Sequence, residues 1–111
     1  MKISDLENNL PVMILTKKNY ENRGLNGCYI GDLLSWVMSR AKSGNVWLTI
    51  MNNINIVAVA SLTDVACIVL CEDVTVSEDV LDKANSEGVV IFKTSLTSYE
   101  FAKIMISHAF L

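Results

Sequence analysis

The chain has 111 residues, of which 51% are hydrophobic and 19% are charged, and its formal net charge at pH 7 is −3. This length fits one domain over residues 1–111, and the excess of apolar over charged residues excludes a disordered chain. The negative charge argues against nucleic acid as a partner, and the absence of an apolar run of ~20 residues argues against a membrane-spanning segment.

The first half of the chain predicts a short helix, two strands and a longer helix. The pattern Ser4-Asp5-Leu6-Glu7 is that of a capping box and predicts a helix that Pro11 ends. Strands are predicted over residues 12–15 and 28–30, on either side of a polar loop at 17–26. Asp32 suits the cap of the next helix, and Gly44 suits its end. Five apolar residues give this helix its core-facing stripe: Leu33, Leu34, Val37, Met38 and Ala41.

The second half predicts strands at 45–50, 66–71 and 89–92, and the run at 66–71 is apolar on both faces, as in a central parallel strand. Asn52 and Asn53 suit caps of a helix over 54–62, although residues 54–57 also suit a strand. Capping boxes begin two further helices, one at Thr75-Val76-Ser77-Glu78 that ends at Gly88 and one at Thr97-Ser98-Tyr99-Glu100. The last helix has an apolar stripe: Phe101, Ala102, Met105 and Ala109. Together these elements predict an α/β fold with a mainly parallel sheet of about five strands covered by helices.

The residues that usually carry catalysis or hold metals are few. No phosphate-binding loop with its lysine and no GxGxxG motif is present, which argues against a kinase. His108 lies in the last turn of the last helix, where it can meet the helix carboxyl end rather than act as a base. Cys67 and Cys71 would lie about 13 Å apart on one strand, too far for a disulfide or a shared metal. We therefore expect no catalytic residue, no metal site and no cofactor.

All three cysteines are expected to be free thiols, and Cys28 resembles the other two as a small core residue, although a redox role stays open for it. An odd number of cysteines fits a reducing compartment. The segment Met1-Lys2-Ile3-Ser4-Asp5-Leu6-Glu7 is polar and acidic and lacks the apolar stretch of a secretory signal. We expect a cytoplasmic protein.

A ligand site is predicted where the parallel strands end, because ligands of such sheets bind beyond the carboxyl ends of the strands. The predicted ligand-binding residues are Asp32, Asn52, Asn53 and Asn55. Asparagine can donate to and accept from a base or a ribose, while a carboxylate at a helix start repels phosphate and favours a hydroxyl, an amine or a cation. Helix capping is the alternative role for Asp32, Asn52 and Asn53. Glu72, Asp73, Thr94 and Ser95 follow the other strands.

Trp36 is predicted to lie outside the apolar stripe of its helix, whereas Trp47 lies on a strand and is expected in the core. Exposed tryptophan is enriched at interfaces, and a short chain with this many apolar residues keeps apolar surface that self-association can cover. We expect a homodimer with Trp36 in or near the contact. The alternative is that Trp36 packs beneath a neighbouring loop.

Residues Gly27 to Ala60 resemble the DRTGG domain family. The resemblance rests on Gly31-Asp32-Leu33-Leu34-Ser35-Trp36-Val37-Met38, on Val46-Trp47-Leu48-Thr49-Ile50 and on Asn55-Ile56-Val57-Ala58-Val59-Ala60, and the later helix and strand also fit. The Asp-Arg-Thr-Gly-Gly pentapeptide itself is absent. The resemblance covers most of the chain and is to the short, stand-alone members.

This resemblance implies a fold related to the N-terminal domain of HPr kinase and a regulatory or interaction role. In larger members the domain lies beside CBS modules that sense adenine nucleotides, or beside phosphotransacetylase domains. The leading hypothesis is thus a non-enzymatic regulatory or ligand-sensing module for an adenine nucleotide, a small metabolite or a partner enzyme. The alternatives are a structural assembly subunit beside a redox or metabolic enzyme, and a small α/β enzyme that uses Asp32 and the asparagines.

Overall fold

Helices and strands alternate along the part of the chain that the computed structural model describes, residues 1–108. The helices are α1 (Ile3–Asn9), α2 (Leu34–Arg40), α3 (Asn55–Thr63), α4 (Glu78–Glu87) and α5 (Ser98–Ser107). The strands are β1 (Met13–Ile14), β2 (Cys28–Ile30), β3 (Val46–Thr49), β4 (Cys67–Leu70) and β5 (Ile91–Lys93). The predicted helix near residue 54 is therefore correct, and the alternative of a strand there is not.

The five strands form one sheet in the order β1-β5-β4-β3-β2. Strands β2 to β5 run parallel to one another, and β1 alone runs antiparallel, with Met13 beside Lys93. Strand β4 is central, and all four of its residues are buried. The predicted α/β fold with a mainly parallel sheet is confirmed, and the fully apolar strand lies in the middle as expected.

The sheet separates two apolar layers, because successive side chains of a strand point to opposite faces. From β4, Cys67 and Val69 belong to the layer that also contains Phe101 of α5, while Ile68 and Leu70 belong to the other layer. The first layer contains buried side chains of α1 and α5, and the second contains those of α2, α3 and α4. Burial on both faces explains why β4 shows no polar alternation.

Of the three predicted capping boxes, only that of α5 forms with its predicted pair. Thr97 Oγ1 accepts a hydrogen bond from Glu100 N, and the Glu100 carboxylate accepts one from Thr97 N. Helix α1 begins earlier than predicted, so that Asp5 accepts from Lys2 N while Ser4 lies inside the helix. The predicted capping box of α4 was wrong as well.

Helix α4 begins after Ser77, not after Thr75, and the Ser77 hydroxyl bonds the Asp79 carboxylate instead of capping the backbone. Gly88 ends this helix as predicted, with a φ of 71°. The last predicted stripe residue of α5, Ala109, lies outside the described residues.

Helix α2 is shorter than its predicted apolar stripe, and only part of that stripe is buried. Val37 is fully buried, while Leu34 and Ala41 pack partly against the same layer. Leu33 precedes the helix and is 62% exposed, and Met38 is 39% exposed. The helix thus rests on the sheet along a narrow line, and the side of it that carries Trp36 remains exposed.

Candidate functional site

The carboxyl edge of the sheet, where β2, β3, β4 and β5 end, carries the four residues predicted to bind a ligand. Asp32 follows β2, Asn52 and Asn53 follow β3, and Asn55 is the first residue of α3. All four are exposed to solvent. The strands and their order thus place these side chains at one edge of the molecule, although whether they bind a ligand remains a prediction.

Asp32 is not the cap of α2, because Leu33 occupies that position. Its Oδ1 atom accepts two hydrogen bonds from the end of β3, from Thr49 Oγ1 at 2.8 Å and from Ile50 N at 3.0 Å. The register explains this geometry: Ile30 lies beside Leu48, so that Asp32, two residues further, reaches the residues just beyond β3. Asp32 therefore ties the ends of two neighbouring strands together.

Thr49 holds this arrangement in place from inside the protein. Its side chain is only 2% exposed, and its Oγ1 atom accepts from Met51 N at 3.1 Å while donating to Asp32. Within residues 1–108, the second carboxylate oxygen of Asp32 makes no hydrogen bond. The site therefore presents one exposed acceptor with a fixed position. Thr49 could not be recognised as part of this site from the sequence, because a threonine at the end of a strand is common.

The three asparagines have different partners. Asn52 Nδ2 donates to the carbonyl of Thr75 at 2.8 Å, so Asn52 connects the segment after β3 with the segment that leads into α4, and it caps no helix. Asn53 Oδ1 accepts from Asn55 N at 2.9 Å in the turn before α3. Ile54 occupies the cap position of that helix, with no side-chain cap bond, so the predicted capping role of Asn53 was wrong. In the described part of the chain, no hydrogen bond connects Asp32 with any asparagine.

The acidic pair Glu72-Asp73 follows β4 at the same edge in an unusual backbone conformation. Both residues have left-handed φ angles, 59° and 56°, which cost L-residues about 1–2 kcal/mol each. Glu72 N donates to the carbonyl of Leu96 at 2.9 Å, and Asp73 N donates to that of Thr94 at 3.0 Å. These bonds hold the turn and leave both carboxylates exposed, so the edge carries three acids, of which Asp73 lies 3.8 Å from Lys93 Nζ.

The cysteine thiols are protonated at neutral pH. Burial raises the pKa of Cys28 and of Cys67 to about 12, and burial together with the nearby carboxylates of Glu72 and Asp32 raises that of Cys71 to about 11. A thiolate nucleophile is therefore disfavoured at all three positions. Among residues 1–108, no group of three or more histidine, cysteine or acidic side chains could hold a metal ion.

His108 and the described cavities lie away from Asp32. Helix α5 begins beside the carboxyl edge and runs for ten residues, about 15 Å, to His108, whose Nδ1 lies 3.0 Å from the carbonyl of Ile104 as expected for a contact at the helix end. A shallow depression of about 270 Å³ lies at the carboxyl edge beside β1 and β5: Pro11, Val12, Met13, Asp73, Lys93, Thr94 and Ser95 line it.

Two adjoining depressions, of about 310 and about 270 Å³, lie at the opposite edge beneath the 17–26 loop and share Glu21, Gly88, Val89 and Val90. Several of their polar groups already bond other protein groups. Tyr20 donates to Glu7 at 2.6 Å, and Arg23 is paired with Asp64 at 3.0 Å. These depressions therefore offer few unused polar groups for a ligand.

No helix in residues 1–108 is long and apolar enough to span a membrane.

Comparison with known proteins identifies the family. The model of the DRTGG domain family matches residues 5–108. The chain belongs to the DRTGG domain family. The resemblance seen in the sequence is thereby confirmed, even though the pentapeptide that gives the family its name is absent.

A solved structure shares the fold of this DRTGG domain. It is the crystal structure of the CBS and DRTGG domains of the regulatory region of Clostridium perfringens pyrophosphatase, complexed with the activator diadenosine tetraphosphate. The TM-score is 0.69 at 9% sequence identity, and the match covers 94% of this chain and 45% of that one. The chain thus spans a little under half of that regulatory region. No curated protein matches the sequence.

Proposed function

We propose that this DRTGG domain is a regulatory module that binds a small effector at the carboxyl edge and does not catalyse a reaction. The observation that carries the proposal is Asp32, whose Oδ1 is fixed by Thr49 and Ile50 while its other oxygen faces solvent. A preorganised acceptor of this kind suits recognition, because little ordering is needed when a donor arrives. The protonated thiols and the distance of His108 from this edge support a role without catalysis.

The charge of the edge favours one class of effector. Asp32, Glu72 and Asp73 are acidic, so the edge favours ligand hydroxyl and amine groups and repels phosphate. An adenine nucleotide fits this pattern if its ribose hydroxyls or its amino group meet Asp32 and Asn53 while its phosphates point to solvent. Support for a nucleotide comes from the pyrophosphatase regulatory region, which was complexed with diadenosine tetraphosphate.

Thermal-shift measurements with adenosine, AMP, ATP and diadenosine tetraphosphate test the proposal. A compound at ~100 times its dissociation constant adds about 2.7 kcal/mol to the free energy of unfolding, which a domain of this size shows as a clear rise in melting temperature. We expect Asp32→Ala and Asn53→Ala to remove the rise. Asn19→Ala is the matched control, because Asn19 lines a depression at the opposite edge. Loss of the shift only in Asn19→Ala would place the site at that edge and overturn the assignment.

A partner enzyme is the second candidate for what the edge binds. It is favoured by exposed apolar side chains beside Asp32, namely Leu33 at 62% and Ile50 at 44% exposure. Such a mixture of apolar contacts around a polar centre is typical of protein interfaces. The three free thiols fit a reducing compartment, which agrees with a cytoplasmic location. If none of the four compounds shifts the melting temperature, the small-effector proposal fails and this second candidate takes its place.

A further inference from the structure

Strands β4 and β5 are parallel neighbours, and after them the chain continues on opposite sides of the sheet. After β4 it enters α4, whose Val80 and Ala84 are buried in the layer of α2 and α3. After β5 it enters α5, whose Phe101 and Met105 are buried in the opposite layer. In open α/β sheets such a divergence opens a crevice at the carboxyl ends of the two strands, where ligands bind. The crevice of this sheet therefore lies at β4 and β5, and β5 is two strands away from β3, whose end Asp32 contacts.

The depression beside β1 and β5 lies at this crevice and is lined by one charge of each sign. Lys93 Nζ lies 3.8 Å from Asp73 Oδ1, longer than the roughly 2.7–2.9 Å of a charge-assisted hydrogen bond. Asp73 N donates to the carbonyl of Thr94 at 3.0 Å, which holds this acid beside the end of β5. Within residues 1–108, the side chains of Lys93, Asp73 and Ser95 form no hydrogen bond. The depression therefore offers an ammonium and a hydroxyl as donors and a carboxylate as an acceptor.

The depression also has an apolar wall and a limited size. Pro11, Val12 and Met13 line it, and Met13, which lies beside Lys93 in the sheet, is 63% exposed. Its volume of about 270 Å³ is below the ~300–1,000 Å³ typical of sites for drug-sized ligands. This size favours a ligand smaller than a nucleotide, and the negative charge of Asp73 repels phosphate. The ligand that fits is a small molecule with a positive group, a negative group and an apolar part.

We propose that this depression binds a small apolar α-amino acid, with the carboxylate of the ligand at Lys93 and Ser95 and its ammonium at Asp73. The two charged groups of an α-amino acid are attached to one carbon atom, so they can meet two protein groups that are themselves neighbours. The side chain of the ligand then lies against Pro11, Val12 and Met13. Because the charges lie at the surface, binding is weak, with a dissociation constant on the order of 1 mM. This site is separate from the effector site at Asp32, and either one can fail its test without the other.

Titration of the isotope-labelled full chain with L-leucine, followed by the NMR shifts of the backbone amides, tests the proposal. We expect saturable shifts at Asp73, Lys93 and Ser95. Isopentylamine lacks the carboxylate of leucine and isocaproate lacks its ammonium, so each should bind at least about tenfold more weakly. Equal binding of the three compounds, shifts confined to residues away from the depression, or no saturation by leucine up to about 20 mM would refute the proposal.

Two variants test the charges separately, and the amide spectrum of each shows whether it is folded. Lys93→Met keeps an apolar side chain and removes the ammonium, while Asp73→Asn removes the negative charge with a residue that tolerates the left-handed φ of 56°. Each should raise the dissociation constant for leucine about tenfold or more. Lys103→Met is the matched control on α5, because the exposed Lys103 side chain forms no hydrogen bond or ion pair in the described part of the chain. Leucine binding that Lys93→Met and Asp73→Asn weaken no more than Lys103→Met does would overturn the assignment.

Discussion

At the scale of single residues, the hydroxyl of Thr49 makes two hydrogen bonds that an apolar side chain of the same shape cannot make. It donates to Asp32 and accepts from Met51 N, and it is buried. Thr49→Val keeps the shape but leaves Met51 N unpaired and Asp32 with one partner instead of two. We expect the free energy of unfolding to fall by about 1–3 kcal/mol, measured by urea denaturation. Thr75→Val, at an exposed threonine, should cost far less; equal losses would mean that the buried hydroxyl has no special role.

Asp64 gives the fold a dependence on pH. Hydrogen bonds from Ser43 and from Arg23 hold the pKa of its carboxyl below the ordinary value of 3.8. Because the pKa in the folded state is the lower one, its contribution to stability is fully present above the unfolded value and is lost as the pH falls towards the folded value. As the pH is lowered from about 5 to about 2.5, the free energy of unfolding should therefore fall less for Asp64→Asn than for wild type. Asparagine also tolerates the left-handed φ of 59° at this position.

The urea midpoint of wild type and Asp64→Asn, followed across that range, checks this prediction. Parallel curves for the two proteins would contradict it. Asp82→Asn is the control at another exposed acid, because the Asp82 carboxylate forms no hydrogen bond or ion pair in the part of the chain that the structure describes.

The position of Asp32 could be predicted from the sequence, but its partner could not. A polar residue after a strand points to the carboxyl edge of a parallel sheet, which is a local inference. Its bonds to Thr49 and Ile50 depend on the register between β2 and β3, seventeen and eighteen residues away along the chain. Capping, the alternative role predicted for Asp32, was wrong, because the pairing of β2 with β3 directs its carboxylate to Thr49 and Ile50 instead.

At the scale of elements, α5 and α4 offer a direct comparison of two helix starts. Thr97 Oγ1 accepts from Glu100 N at 3.1 Å, whereas the Ser77 side chain caps no backbone N–H. Thr97→Ala should lower the free energy of unfolding by about 1 kcal/mol, and Ser77→Ala by clearly less. Thermal and urea denaturation of the two variants measure the difference. A loss in Ser77→Ala as large as that in Thr97→Ala would contradict the assignment of the caps.

The three predicted capping boxes show what the sequence can and cannot fix at a helix start. The motif needs a free hydroxyl and a chain that enters the helix at that residue. At α1, the Ser4 hydroxyl accepts from Asn22 Nδ2 at 2.9 Å, so a contact eighteen residues away occupies it. At α4, the carbonyl of Thr75 is held by Asn52, and the helix begins only after Ser77. Strands were easier to predict, since a buried strand such as β4 is an uninterrupted apolar run, and the bounds of β2 were also correct.

At the scale of the whole molecule, the order of the strands in the sheet could not be predicted from local sequence patterns. Residues 12–15 were predicted as a strand, but nothing in two or three residues determines that β1 pairs antiparallel with β5. That pairing is made by distant contacts, including Ile91 N donating to Thr16 Oγ1 at 3.1 Å and Leu15 N donating to the carbonyl of Ile91 at 2.9 Å. The exposure of Trp36, by contrast, follows from helical spacing and is confirmed, while its role at an interface remains a prediction.

The two apolar layers share one sheet, which predicts that residues 1–111 unfold as a single cooperative unit. Side chains of β4 alternate between the layers, so loss of either layer exposes one face of the central strand. Trp47 is fully buried in the layer of α2, α3 and α4. Once Trp36→Phe has removed the exposed tryptophan, the fluorescence of Trp47 therefore measures the unfolding of that layer. In that variant, Trp47 fluorescence and far-ultraviolet circular dichroism should give the same urea midpoint. A fluorescence midpoint clearly below the dichroism midpoint would show that the layer of α2, α3 and α4 unfolds first, and the chain would then consist of two units.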